Sequence, residues 1–205
     1  MSQNDYLGFE RAGTAGGIGE IGYIVDNLLS KMQTITLVKI ENVKGGKTKE
    51  VGLVDVKPLV SQVDGANNII EHGIIYNIPY FRLQGGADAV IIDPKKGDIG
   101  LCAFASRDIS GVKATKKETP AQSKRMFDFS DGLYIGGFLN GKPEQYIYFN
   151  ENGITINTAK TVTINANTVI NGTLETSGTI TSNSDVVASG VSLKNHRHNG
   201  GSKPD

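Results

Sequence analysis

Residues 154–186 constrain the fold more than any other stretch, because they alternate. Ile154, Ile156, Val162, Ile164, Ala166, Ile170, Leu174, Ile180 and Val186 fall on even positions, and the only apolar odd positions are Ala159 and Val169. A period of two is that of a strand with one face inward and one outward. From Glu151 to Leu193 the only charges are Glu151, Lys160, Glu175 and Asp185, and 20 of the 43 residues are Ser, Thr or Asn. Disordered tails are charged and poor in β-branched residues, so ordered strands are expected. One sheet with so little apolar content would expose both its apolar face and its edges. Three chains wound around a common axis remove both problems. The even-position Ile and Val then fill a narrow interior, and Thr, Asn and Ser coat the outside. The expectation is a homotrimeric, intertwined triangular β-prism or β-helix over residues 131–195.

Composition points the same way. Only 38% of the 205 residues are hydrophobic, there is no Trp, and the chain reaches a globular balance only through its 26 Gly, which bury nothing. Self-association is the expected source of the missing burial. Charges cancel at 21 against 21, which disfavours a general nucleic-acid binder. The sequence opens without a basic or apolar leader, and its longest apolar run is far short of the ~20 residues of a membrane span. Synthesis in a reducing cytoplasm is expected. The lone Cys102, in the run Leu101–Ala105, reads as a small buried hydrophobe and not as a nucleophile.

The N-terminal arm, residues 1–33, holds one amphipathic helix: Ile21, Ile24, Val25, Leu28, Leu29 and Met32 recur at helical spacing. Its apolar face is expected against its own domain or a trimer partner. Gly17, Gly19 and Gly22 spell GxGxxG ahead of it, but no buried strand precedes them, as dinucleotide binding requires. Residues 34–108 read as strands at Thr34–Ile40, Val51–Val60, Ile74–Leu83, Ala89–Ile92 and Ile99–Ala105, with glycine turns, as in a small OB-type barrel. Residues 109–130, with Lys113, Lys116, Lys117, Lys124 and Arg125, read as a solvated linker. Asn140-Gly141, between Leu133–Phe138 and Gln145–Phe149, predicts a hairpin.

Two of the three histidines are His196 and His198, followed by Gly200-Gly201. Residues i and i+2 of a strand project to one side. One chain gives half a site; three chains bring six imidazoles to an axis, an octahedral set unlike the tetrahedral zinc site. His72, beside Glu71 and Gly73, reads as a surface histidine.

Val54–Val60, Asn77-Ile78-Pro79-Tyr80, Gly85-Gly86 and Pro94–Leu101, closed by Arg107-Asp108-Ile109, look like the N-terminal OB-type domain of phage baseplate spike proteins. The Ser/Thr/Asn-rich prism ending in His-x-His-x-Gly resembles the membrane-piercing central spikes of contractile-tailed phages. That resemblance implies a non-enzymatic virion protein at the baseplate tip, seated on a trimeric hub and driven through the host outer membrane by sheath contraction. It further implies a metal-binding apex, residues 196–205, closed by one iron per trimer on His196 and His198. The alternative is a trimeric glycan-binding or glycan-degrading tail spike, which needs paired carboxylates where the prism offers Glu151, Glu175 and Asp185. A binder of single-stranded nucleic acid would instead use Tyr76, Tyr80, Phe81 and Arg82.

Overall fold

A computed structural model describes residues 17–64 and 66–196. The chain is mainly β, and its contacts divide it into one body ending at Pro143 and another beginning at Glu144.

In the first body the expected amphipathic helix forms as α1 (Ile18–Leu29), with Gly17 at its N-cap in the left-handed region (φ 71°). Among the described residues nothing covers its apolar side chains: Ile21, Ile24, Val25, Leu28, Leu29 and Met32 are all exposed. The apolar alternation of β1 (Ile35–Lys44) puts Val38 and Ile40 on one face, and both are fully buried. β2 (Leu53–Pro58) runs antiparallel to β1 with Val56 opposite Ile40, and a bulge between Ile40 and Asn42 shifts the register. Pro58 ends the strand, as its missing N–H allows. A small hairpin of β3 (Gln62–Val63) and β4 (Ile69–Ile70) precedes β5 (Ile75–Pro79). A second, β6 (Leu83–Gly85) with β7 (Asp88–Val90), precedes β8 (Ile99–Phe104). After the short helix α2 (Ser110–Thr115) and a 3-10 turn at Phe129–Asp131 comes β9 (Gly132–Gly137).

The sheet order is β5-β2-β1-β8-β9. Tyr80 bridges Tyr134 in parallel, and the Phe81 N–H donates to the Tyr134 carbonyl at 2.7 Å, so the outer strands meet and the sheet curls into a half-barrel. Val38, Ile40, Val54, Val56, Ile78 and Cys102 fill it, with Tyr80, Phe104 and Tyr134 at the margins. Each large aliphatic contributes roughly 1.5–3 kcal/mol. Burial pushes the Cys102 thiol up to about 12, so it remains a protonated hydrophobe, as its sequence context suggests.

Four of the five expected barrel strands are in this sheet; the fifth differs. Ala89–Ile92 contributes to the β6–β7 hairpin, and the remaining sheet strand is β9, from the stretch assigned by sequence to the spike. The hairpin expected at Asn140-Gly141 does not form. The Asn140 side chain instead accepts the Ile99 N–H at 2.9 Å, which ties this segment to the start of β8. Gly100 is required where β8 meets β9, because a Cβ there would overlap the Gly136 carbonyl oxygen.

In the second body β10 (Tyr146–Asn150) pairs with β11 (Gly153–Asn157) around a turn at Glu151-Asn152. Direct pairing of Ile147 with Ile156 and Phe149 with Ile154 sets four apolar side chains on one face, opposite to Tyr146, Tyr148, Thr155 and Asn157. Residues 158–186, where the alternation predicts strands, carry no helix or strand in the single chain; along that alternation only Gly153–Asn157 is a strand. A last hairpin, β12 (Val187–Ala188) with β13 (Val191–Ser192), turns through Ser189 and Gly190, both at positive φ. Among residues 144–196 none is buried.

Candidate functional site

The C-terminal hairpin ends in a tight turn that carries His196. Asp185 stands at its base: its Oδ1 accepts the backbone N–H of Val186 at 2.8 Å and of Lys194 at 3.0 Å, bonding residues nine apart in sequence. The Leu193 N–H donates to the Val186 carbonyl at 2.8 Å, extending the ladder by one rung. Ser192 continues the chain of bonds. Its Oγ accepts the Asn195 N–H at 2.9 Å, and its carbonyl accepts the His196 N–H at 3.0 Å. The Ser192 hydroxyl, then the Lys194 N–H, hold the Asp185 carboxyl below the ordinary carboxylate range.

His196 Nδ1 lies 2.7 Å from the Leu193 carbonyl oxygen. A carbonyl can only accept, so Nδ1 is the donor in this contact. Imidazoles that ligate metals are fixed in this way, the second nitrogen donating to a backbone carbonyl or carboxylate. Among the described residues no three His, Cys, Asp or Glu side chains converge to hold a metal ion. His198, its sequence-expected partner, lies outside the described residues.

The polar groups of the first body are structural. Arg82 is almost wholly buried: its guanidinium donates to the Lys49 carbonyl at 2.7 Å, to the Lys47 carbonyl at 3.0 Å and to Asp93 Oδ1 at 3.2 Å. Tyr80 is buried as well and donates to Asp93 Oδ1 at 2.6 Å. The set that single-stranded nucleic acid would stack on is thus split, with only Tyr76 and Phe81 exposed. His72 is half-buried: its ring meets the edge of Phe129 at 5.6 Å, and Nε2 lies 3.0 Å from the Val60 carbonyl oxygen. His72 is thus a surface histidine whose ring is partly covered.

The segment 109–130 is more than a connector. Arg125 pairs with Asp108 at 2.9 Å and Asp131 at 3.1 Å, two carboxylates that are themselves buried. Ser123 donates to Asp108 Oδ2 at 2.6 Å. Charges spaced this far apart leave no linear motif. The readable signal is local: Asp108-Ile109-Ser110 and Asp128-Phe129-Ser130 are Asx turns, each Asp accepting the Ser N–H, at 2.9 and 2.8 Å.

Among the described residues no helix is long and apolar enough to cross a membrane. No protein-family model and no curated protein sequence matches the chain.

Proposed function

We propose that the chain is a structural, non-enzymatic protein: the trimeric central spike at the baseplate tip of a contractile tail, mechanically piercing a host outer membrane. The observation that carries this reading is that residues 144–196 hold no buried side chain, although they hold Ile147, Phe149, Ile154, Ile156, Ile164, Ile170, Leu174 and Ile180. A long apolar series that one copy leaves in water suits a core shared by three. The apolar face of the β10–β11 hairpin carries the first two members of the even-position series, Ile154 and Ile156, and would join that core. The strand order of the first body, with its parallel contact between the outer strands, suits an OB-type barrel seating the needle on a trimeric hub.

Mechanically, sheath contraction pushes a thin prism point-first, so the force acts on a small area. At the apex His196 and His198 of each chain would hold one iron, supplying six imidazole nitrogens. The metal's role is to tie the three chain ends together under load. Metal binding then couples to folding of the apex, because ligands from three chains must assemble. The rival glycan-cleaving spike would draw on Asp185, but that carboxylate is committed to the Val186, Ser192 and Lys194 contacts.

The test is elemental analysis of purified protein. One transition-metal ion per three chains is expected, lost in the His196→Ala, His198→Ala double variant while the oligomer persists. Metal-free wild-type protein, or glycan cleavage abolished by Glu175→Gln, would refute the reading.

A further inference from the structure

Arg82 lines a groove of about 500 Å³ on the first body, and its hydrogen bonding is incomplete. The groove is bounded by the β1–β2 loop, the β6–β7 hairpin and the residue that follows α2, with Lys49, Glu50, Val51, Ala89, Ile91 and Lys116 on its walls. The two Nη atoms of Arg82 donate to the Lys47 and Lys49 carbonyls and to Asp93, which ties the β1–β2 loop to the foot of the hairpin. The side chain is only 4% exposed, yet its buried Nε–H has no acceptor among the described residues. Buried donors are nearly always paired in folded proteins, so an unpaired one at the wall of a groove marks a place for an acceptor from outside.

Charge decides which kind of acceptor suits. Arg82, Lys49 and Lys116 line the groove against a single carboxylate, Glu50. Asp93 offsets Arg82, whereas neither Lys49 nor Lys116 enters an ion pair among the described residues; the Lys116 ammonium donates to the Lys113 carbonyl at 2.8 Å. A positive charge is left over. Val51 and Ile91 add apolar wall that is itself exposed.

We propose that this groove docks an extended acidic segment of a partner protein, a carboxylate of which accepts the Arg82 Nε–H while neighbouring apolar side chains lie on Val51 and Ile91. An ionised acceptor makes the stronger bond to a guanidinium, and arginine-centred basic sites are a recurrent means of reading acidic motifs. A neutral segment leaves the charge unanswered, and a free dicarboxylate makes no use of the apolar wall. The proposal goes beyond the spike reading and depends on neither its shared core nor its histidines.

The experiment uses the full-length protein. The probe is a short fluorescein-labelled peptide with capped ends that alternates Glu and Val, and binding is read by anisotropy at low salt, where exposed charges are least screened. Wild type is expected to bind it ~10-fold or more tightly than the matched Gln–Val peptide, the factor a charge-assisted hydrogen bond supplies. Ala89→Glu puts a carboxylate on the exposed β7 wall and is expected to abolish binding. Arg82→Lys keeps the charge but removes the Nε–H, and is expected to weaken binding ~10-fold. No binding of the Glu–Val peptide, equal binding of both peptides, or unchanged binding by either variant overturns the proposal. Glutarate that displaces the peptide at matched concentration also overturns it, making the groove a small-dicarboxylate site. Should Arg82→Lys fail to fold, Ala89→Glu decides alone, its fold checked by circular dichroism. Iron content and oligomeric state play no part in these readouts, so failure here leaves the spike reading standing.

Discussion

Gly46 shows how one residue secures the barrel's polar seam. It sits at φ 80°, and a Cβ there would run into the Tyr80 hydroxyl, which lies against Asp93. Backbone conformation and space both demand glycine. Gly46→Ala is expected to cost roughly 1–3 kcal/mol, the usual range for overpacking, measured as the loss in urea-unfolding free energy. A neutral substitution would mean that Tyr80 yields freely. Nothing in the pair Gly45-Gly46 marks which glycine is crowded: Gly45 meets only the Gly52 Cα, at ordinary contact distance. The sequence announces a turn there and is silent on its tolerance.

Among the elements, the segment 109–130 behaves as a strap, and its carboxylates predict an acid response. The hydroxyls of Ser110 and Ser123 and the Ser110 N–H, followed by the Arg125 charge, hold the Asp108 carboxyl well below its ordinary value. A depressed carboxylate contributes stability that is fully present above its unfolded value, about 3.9. That contribution is lost as pH falls through the lower folded value. Ser123→Ala removes one of those donors, so it should lower the unfolding midpoint at pH 7, and the gap from wild type should shrink progressively below about pH 4. A gap that is constant with pH would assign Ser123 a packing role only. Legibility differs by element for physical reasons. α1, β1, β2, β5 and β8 were readable because their apolar spacing matches their period. β9 was legible as an apolar run at Leu133–Phe138, but its partner was not, because it pairs with β8 far earlier in the chain and not with the stretch that follows it. Asn140-Gly141 has hairpin chemistry, yet the segment is bonded to Ile99 instead, through the Phe138 and Leu139 N–H groups and the Asn140 side chain. Of the candidate site, His196 was evident from its spacing with His198, whereas Asp185 was not, because its partners are backbone N–H groups that any residue supplies.

For the whole molecule, the decisive quantity is exposed apolar surface. Among the described residues it is concentrated in α1, in the β6–β7 hairpin with Leu83 and Val90 exposed, and throughout residues 144–196. The first body has a core of its own, and the described residues of the second have none. The native mass of the full-length chain, by light scattering at micromolar concentration, tests this account most directly. The account predicts a single species of three times 21.9 kDa; a folded, monodisperse monomer would contradict it.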